Sequence, residues 1–203
     1  MVVGFPKGAR PTITKQFMEK LKDRKWKVLE STYLHRKPWL TVRSERVELP
    51  NGNQIPEYFV LEYPDWINVI ALTKDGRFVF ISQYRHALGV TSYELCAGVC
   101  EEVDGNPLVS AQRELMEETG FGGGSWSEYM VISPNPGSQN NLTHCFLAVG
   151  VEQLSTQHLE PSEDITVHIL TTEEVVELLR TDQIKQATHA APLWKYVAEH
   201  HLI

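Results

Sequence analysis

Two apolar runs joined by a four-residue turn constrain this chain most. WINVIALT (66–73) follows the break at Pro64-Asp65 and reads as a buried strand. KDGR (74–77) is a tight turn, and FVFISQYR (78–85) reads as the antiparallel partner. Upstream, LTVRSERVEL (40–49), the turn signal PNGN (50–53) and QIPEYFVLEY (54–63) predict a hairpin or two strands of a small sheet. Downstream, SYELCAG (92–98), EYMVIS (128–133), LTHCFLAVGV (142–151) and ITVHIL (165–170) each read as one strand. Glycines 122–124 and PNPGSQNN (134–141) mark loops, and residues 172–180 and 188–200 read as helices. Residues 12–25 fit a short helix or a basic, loosely ordered arm.

Strands and helices alternate without a βαβ rhythm. That favours an α+β mixed-sheet sandwich over a doubly wound parallel sheet. The Pro64-Asp65 break divides an N-terminal arm and small β domain (1–64) from a main domain (65–203). The net charge of −7 argues against non-specific binding to DNA or an anionic membrane. No apolar run approaches a membrane span, and the N-terminus lacks the pattern of a secretory signal. Cys96, Cys100 and Cys145 form no CxxC, which fits reduced thiols in a cytoplasm rather than a zinc site. The eight histidines show no metal-ligand spacing and read as surface or core residues.

One helix stands out. Asn106 suits an N-cap, Pro107 the first helical position and Gly120 the C′ position. Leu108, Ala111 and Leu115, with Thr119, form its apolar stripe. Its second half carries Glu114, Glu117 and Glu118, where like charges repel and the helix dipole disfavours anions. Glu-rich runs are usually solvated faces. A bound divalent cation is the other explanation, since Mg²⁺ and Mn²⁺ take oxygen ligands and clustered carboxylates supply them. Arg113 lies four residues before Glu117 and can pair with it.

The pattern Arg113, Glu114, Glu117, Glu118, Gly120, Phe121 resembles the second half of the Nudix box, and ELCAG (94–98) resembles its opening. QYR (83–85), SPNPGSQNNLTHCFLAVG (133–150) and EPSEDITVHIL (160–170) are similar to the ADP-ribose pyrophosphatase branch of that superfamily. The resemblance covers roughly residues 40–200. It implies a Nudix α/β/α sandwich with a small N-terminal β region. It also implies hydrolysis of ADP-ribose or a related nucleoside diphosphate sugar to AMP, or another NMP, and a sugar phosphate. Substrates such as GDP-mannose or a dinucleotide, and a catalytically impaired nucleotide sensor, are the alternatives.

By the same resemblance, Glu114, Glu118 and the Ala97 carbonyl would ligate Mg²⁺ or Mn²⁺. Glu117 would share or orient the ion, Arg113 would hold the carboxylates, and relatives are usually homodimers. The general base would come from EPSED: Glu163 first, then Glu160 or Asp164. Arg85 suits either the diphosphate or a surface salt bridge. Glu94 suits a ribose, a metal-bound water or an ordinary strand end. Trp39 and Tyr58 suit base stacking, a core or a dimer interface. The box departs from the family in three places. Gly105 stands where its first glutamate belongs, one residue is inserted within VCEEVD (99–104), and Cys96 replaces a proline. Glu101, Glu102 or Asp104 is expected to stand in for the missing acid. The later loop offers only Asn140 and Asn141 where an acid often follows Pro-Gly.

Overall fold

A computed structural model describes residues 23–203. Most of the predicted 12–25 arm lies outside these residues, and positions 23–26 carry no regular structure. Strands β1 (Lys27–Lys37), β2 (Leu40–Glu48) and β3 (Gln54–Glu62) form an antiparallel three-stranded sheet. The predicted 40–63 hairpin is β2–β3, but β1 was not legible. Ten of its eleven residues are exposed and the other is half-buried. A strand with no buried face has no reason to alternate apolar and polar residues.

The second sheet is mixed and eight-stranded, with β4 (Trp66–Thr73) at its centre. β4 pairs parallel with β10 (Thr143–Gln153) and antiparallel with β5 (Phe78–Arg85). Around this centre lie β6 (Val90–Glu94), β7 (Cys96–Val99), β8 (Phe121–Gly122), β9 (Ser125–Ile132) and β11 (Thr166–Leu170). Val69, Ala71 and Val79 pack with Ala111 and Leu115 of helix α1 (Pro107–Thr119) on one face. Ile70, Leu72 and Phe80 pack on the other face, against α2 (Thr172–Arg180) and α3 (Ala187–Glu199). The result is the expected α/β/α sandwich, and β4 is mostly apolar because both of its faces are covered; its buried Asn68 donates to the Thr188 carbonyl at 2.7 Å.

SYELCAG does not form one strand. β4 and β5 pair only at Ala71–Val79 and Leu72–Phe78, then splay. β6 extends the β5 edge and β7 extends the β4 edge, with the switch at Leu95. This crossing sets Ala97 and Gly98 beside α1. The predicted loop at 122–124 is also partly strand, since Phe121 and Gly122 pair with Gln153 and Glu152.

The caps of α1 match expectation. The Asn106 side chain accepts from the Val109 amide at 3.2 Å, and Gly120 takes a left-handed φ of 75°. A Cβ at Gly120 would strike the Ser155 carbonyl, so no other residue fits there without moving the backbone. The loop after β9 fastens the two sheets together. Ser138 O accepts from the Leu61 amide at 2.7 Å, and the Tyr63 amide donates to Asn140 Oδ1 at 3.2 Å.

Candidate active site

Arg113 gathers the acids of the first half of the site. Its Nη1 donates to Glu114 Oε1 at 3.0 Å and to Glu117 Oε2 at 2.9 Å. Its Nε and Nη2 donate to Asp104 Oδ2 at 3.2 and 3.1 Å, and Nη2 also reaches the Val99 carbonyl at 3.3 Å. Of the three acids in VCEEVD, Asp104 is therefore the one that hydrogen-bonds Arg113. It closes a 3₁₀ turn, Glu102–Asp104, that exits through Gly105 at φ 74°. The left-handed exit explains a glycine at 105. The guanidinium holds the Asp104 carboxyl below its ordinary range. Glu101 lies farther off, 3.7 Å from Arg113, and is exposed.

Glu114 and Glu118 face β7. Glu118 is 3% exposed and its Oε2 accepts the Ala97 amide at 3.1 Å. Burial pushes its carboxyl up to about 8, against hydrogen bonds from Cys96 and Ala97, with Glu114 and Glu163 adding repulsion. Burial likewise raises Glu114 to about 7, although Arg113 opposes the shift. Glu114 lies against Gly98, and a Cβ there would overlap its carboxylate. The glycine of the box opening is thus a cradle for a carboxylate.

The loop before β11 joins this cluster because Gln157 pins it to the end of α1. The Gln157 Nε2 donates to the Glu118 carbonyl at 2.8 Å and to the Ile165 carbonyl at 3.2 Å, and the His158 amide donates to the Glu117 carbonyl at 2.8 Å. These bonds satisfy carbonyls that the last helical turn leaves open. Glu163 is half-buried and close enough for its charge to raise both Glu114 and Glu118. Its Oε2 accepts the Glu160 amide at 2.8 Å, while the Glu160 and Asp164 side chains are exposed.

Five carboxylates (Asp104, Glu114, Glu117, Glu118 and Glu163) with one guanidinium leave an excess of negative charge in a partly dry place. Among the described residues, no three acid, His or Cys side chains converge into a finished coordination sphere. The donor set still fits a hard divalent ion: oxygen ligands only, two of them on buried carboxylates that nothing else neutralises fully.

Beyond Ala97 and Gly98 opens a cleft of about 230 Å³ that also touches Trp39, Trp66, Arg85 and Thr143. Trp39 is 72% exposed and sits at the β1–β2 turn with φ 62°. Arg85 and Glu94, each considered for the substrate, bind each other: Nε to Oε1 at 2.8 Å and Nη2 to Oε2 at 2.5 Å. Glu94 is 1% exposed, so the pair is not the surface salt bridge weighed for Arg85. Tyr58 stands apart from the lining of this cleft. Its hydroxyl donates to the Gly137 carbonyl at 2.6 Å, and its ring meets Trp26 edge-on at 5.6 Å. The sequence reading missed Gln157, Trp66 and the start of α3, because none of them belongs to a local pattern.

Comparison with known proteins agrees with this geometry. A nucleoside diphosphate sugar hydrolase N-terminal domain matches residues 26–61, and a NUDIX domain matches residues 63–195. An ADP-ribose pyrophosphatase of Bacillus subtilis is 30% identical over 147 residues, 72% of this chain and 78% of the relative. A methanol dehydrogenase activator of Bacillus methanolicus is 30% identical over 139 residues, 68% of this chain and 74% of the relative. A crystal structure of an ADP compounds hydrolase superposes with a TM-score of 0.76 at 18% identity, covering 90% of this chain and all of that one. The chain belongs to the Nudix hydrolase superfamily.

Proposed function

We propose that the protein hydrolyses the pyrophosphate bond of ADP-ribose or a related nucleoside diphosphate sugar, releasing AMP (or another NMP) and a sugar phosphate. The observation that carries this reading is the pair of buried carboxylates, Glu114 and Glu118, with too little positive charge around them. The ADP-ribose pyrophosphatases among its relatives favour an adenine nucleotide. The two halves, 1–64 and 65–203, divide the work in this reading, with the carboxylates and the base in the second.

Glu114, Glu118 and the Ala97 carbonyl would hold Mg²⁺ or Mn²⁺, with Glu117 on the outer side. Such an ion supplies charge neutralisation for the pyrophosphate and for its transition state. Arg113 keeps the acids in register through Asp104, so the missing box glutamate does not argue for a silent sensor. Glu163 is the base: it takes the proton of the attacking water. Glu160 and Asp164 point to solvent and are secondary. Arg85 steadies the diphosphate from the Glu94 side, and Trp39 stacks on the base across the cleft. Tyr58 supports the loop around Gly137 rather than the substrate.

We further propose a cytoplasmic homodimer. Both faces of the three-stranded sheet carry exposed apolar residues, including Val28, Tyr33, Leu34 and Phe59. A second copy is the natural cover for such a surface. No described helix is long and apolar enough to cross a membrane.

A substrate screen with Mg²⁺ and Mn²⁺, following release of AMP and sugar phosphate, tests the central reading. ADP-ribose is expected to turn over, with activity abolished by chelator. Tight binding of ADP-ribose without any turnover would replace the enzyme with a sensor.

A further inference from the structure

The start of α3 opens on the same cleft as Ala97 and Gly98, through Gln186, Thr188 and His189. α3 has thirteen residues and no side chain caps its N-terminus. The Ala187 and Thr188 amides have no backbone partner among the described residues, whereas the His189 amide closes onto the Gln186 carbonyl at 3.0 Å; the helix start carries the positive end of the dipole.

His189, in that first turn, supplies independent evidence for a ligand. It is 1% exposed, and its Nδ1 accepts the Leu95 amide at 3.0 Å. An amide N–H only donates, so Nδ1 must present its lone pair and the ring proton sits on Nε2. A second proton on Nδ1 would set two hydrogens against each other. Burial, and then Arg85, hold the imidazole far below its ordinary range, at about 3. The Nε2–H has no acceptor among the described residues, and it is not one of the sealed, unsatisfied polar atoms. His189 lines the cleft, and with Nδ1 taken by Leu95 the Nε2–H is the ring donor left for a ligand there.

The same switch that splits SYELCAG into two strands frees this Leu95 amide from the ladders. The strand break and the histidine tautomer are thus one arrangement. A neutral ring protonated at Nε2 can donate but cannot take a proton, which excludes a base role. Its partner must be an acceptor. Arg85 stands beside it with Nε and Nη2 committed to Glu94, so that ion pair brings donors without net charge.

We infer that His189 Nε2–H and the first turn of α3 form a donor subsite for a phosphate oxygen of the nucleoside diphosphate substrate. Phosphate oxygens only accept, and a helix start suits them. This subsite rests on the function proposed above, and it adds a wall of neutral donors to the carboxylate wall that would hold the ion.

The test is ¹⁵N NMR of histidine-labelled full-length protein, with kinetics alongside. Free protein is expected to show His189 as a neutral Nε2–H tautomer throughout the range from about pH 5 to pH 8. α,β-Methylene-ADP should shift its Nε2 and attached proton, whereas adenosine should not. His189→Leu should raise KM for ADP-ribose about 10- to 100-fold, the usual worth of a hydrogen bond to a charged group, with a smaller change in kcat. His189→Gln, which can accept from Leu95 and still donate, should recover most of that loss.

An Nδ1–H tautomer, or a ring titrating near pH 6, would overturn the inference. So would α,β-methylene-ADP binding that perturbs other residues and leaves Nε2 unmoved. If ADP-ribose is neither bound nor hydrolysed, the proposed function falls and the subsite falls with it. Should His189→Leu not fold, the tautomer and ligand shifts in the unmutated protein decide alone.

Discussion

Glu118→Gln should stabilise the metal-free protein at alkaline pH while destroying its function. Glu118 has a carboxyl raised from 4.5 to about 8 by burial. A raised acid pKa means that the folded state holds its proton more tightly than the unfolded state. The associated stability is complete below about pH 4.5 and is lost as pH climbs to about 8. At pH 8 the loss integrates to roughly 4 kcal/mol. For a chain of this size that is about 10 °C in melting temperature. Glutamine is uncharged and its carbonyl can still accept the Ala97 amide, so the variant avoids this term. Melting curves in chelator should coincide near pH 5 and separate towards pH 8, with Glu118→Gln the more stable. Mg²⁺ or Mn²⁺ should then raise the melting temperature of the unmutated protein and leave the variant nearly unchanged. Parallel pH profiles for the two proteins would refute the reasoning, because a charged, desolvated Glu118 could not then be the strained group.

Gly98→Ala should keep the fold but displace the Glu114 carboxylate, and activity with Mg²⁺ should fall at least about tenfold while circular dichroism is unchanged. Asp104→Asn should cost more activity than Glu101→Gln or Glu102→Gln, since of these three acids Asp104 is the one hydrogen-bonded to Arg113; equal effects in a side-by-side assay would remove its special role. Glu163→Gln should lower kcat about 10²- to 10⁴-fold with little change in KM, and Glu160→Gln and Asp164→Asn should stay within a few-fold of the parent. A large loss at Glu160 alone would name a different base. Gln157→Ala should loosen the base loop, read as faster amide exchange over residues 158–164 and a lower kcat without loss of metal-dependent stabilisation.

Local physics wrote much of this protein into its sequence. The ends of α1 were legible because capping is a short-range matter: Asn106, Pro107 and Gly120 each answer to their own few neighbours. β4 and the first half of β5 were legible because strand segments covered on both faces become mostly apolar, and the acids of α1 because their spacing puts them on adjoining faces of one helix. The chain could not announce β1, which hides no face and so has no pattern. Nor could it announce the break at Leu95, which exists because β4 and β5 splay and leave two edges to be filled. Which acid of VCEEVD meets Arg113 depended on the local fold: a 3₁₀ turn and a left-handed Gly105 swing Asp104 onto it. Arg85 and Glu94 are nine residues apart and meet only through the β5–β6 hairpin. His189 reaches Leu95 from 94 residues away. Pairings over such distances carry no local signal, since the residues are chosen to suit a partner that only the packed sandwich brings within reach.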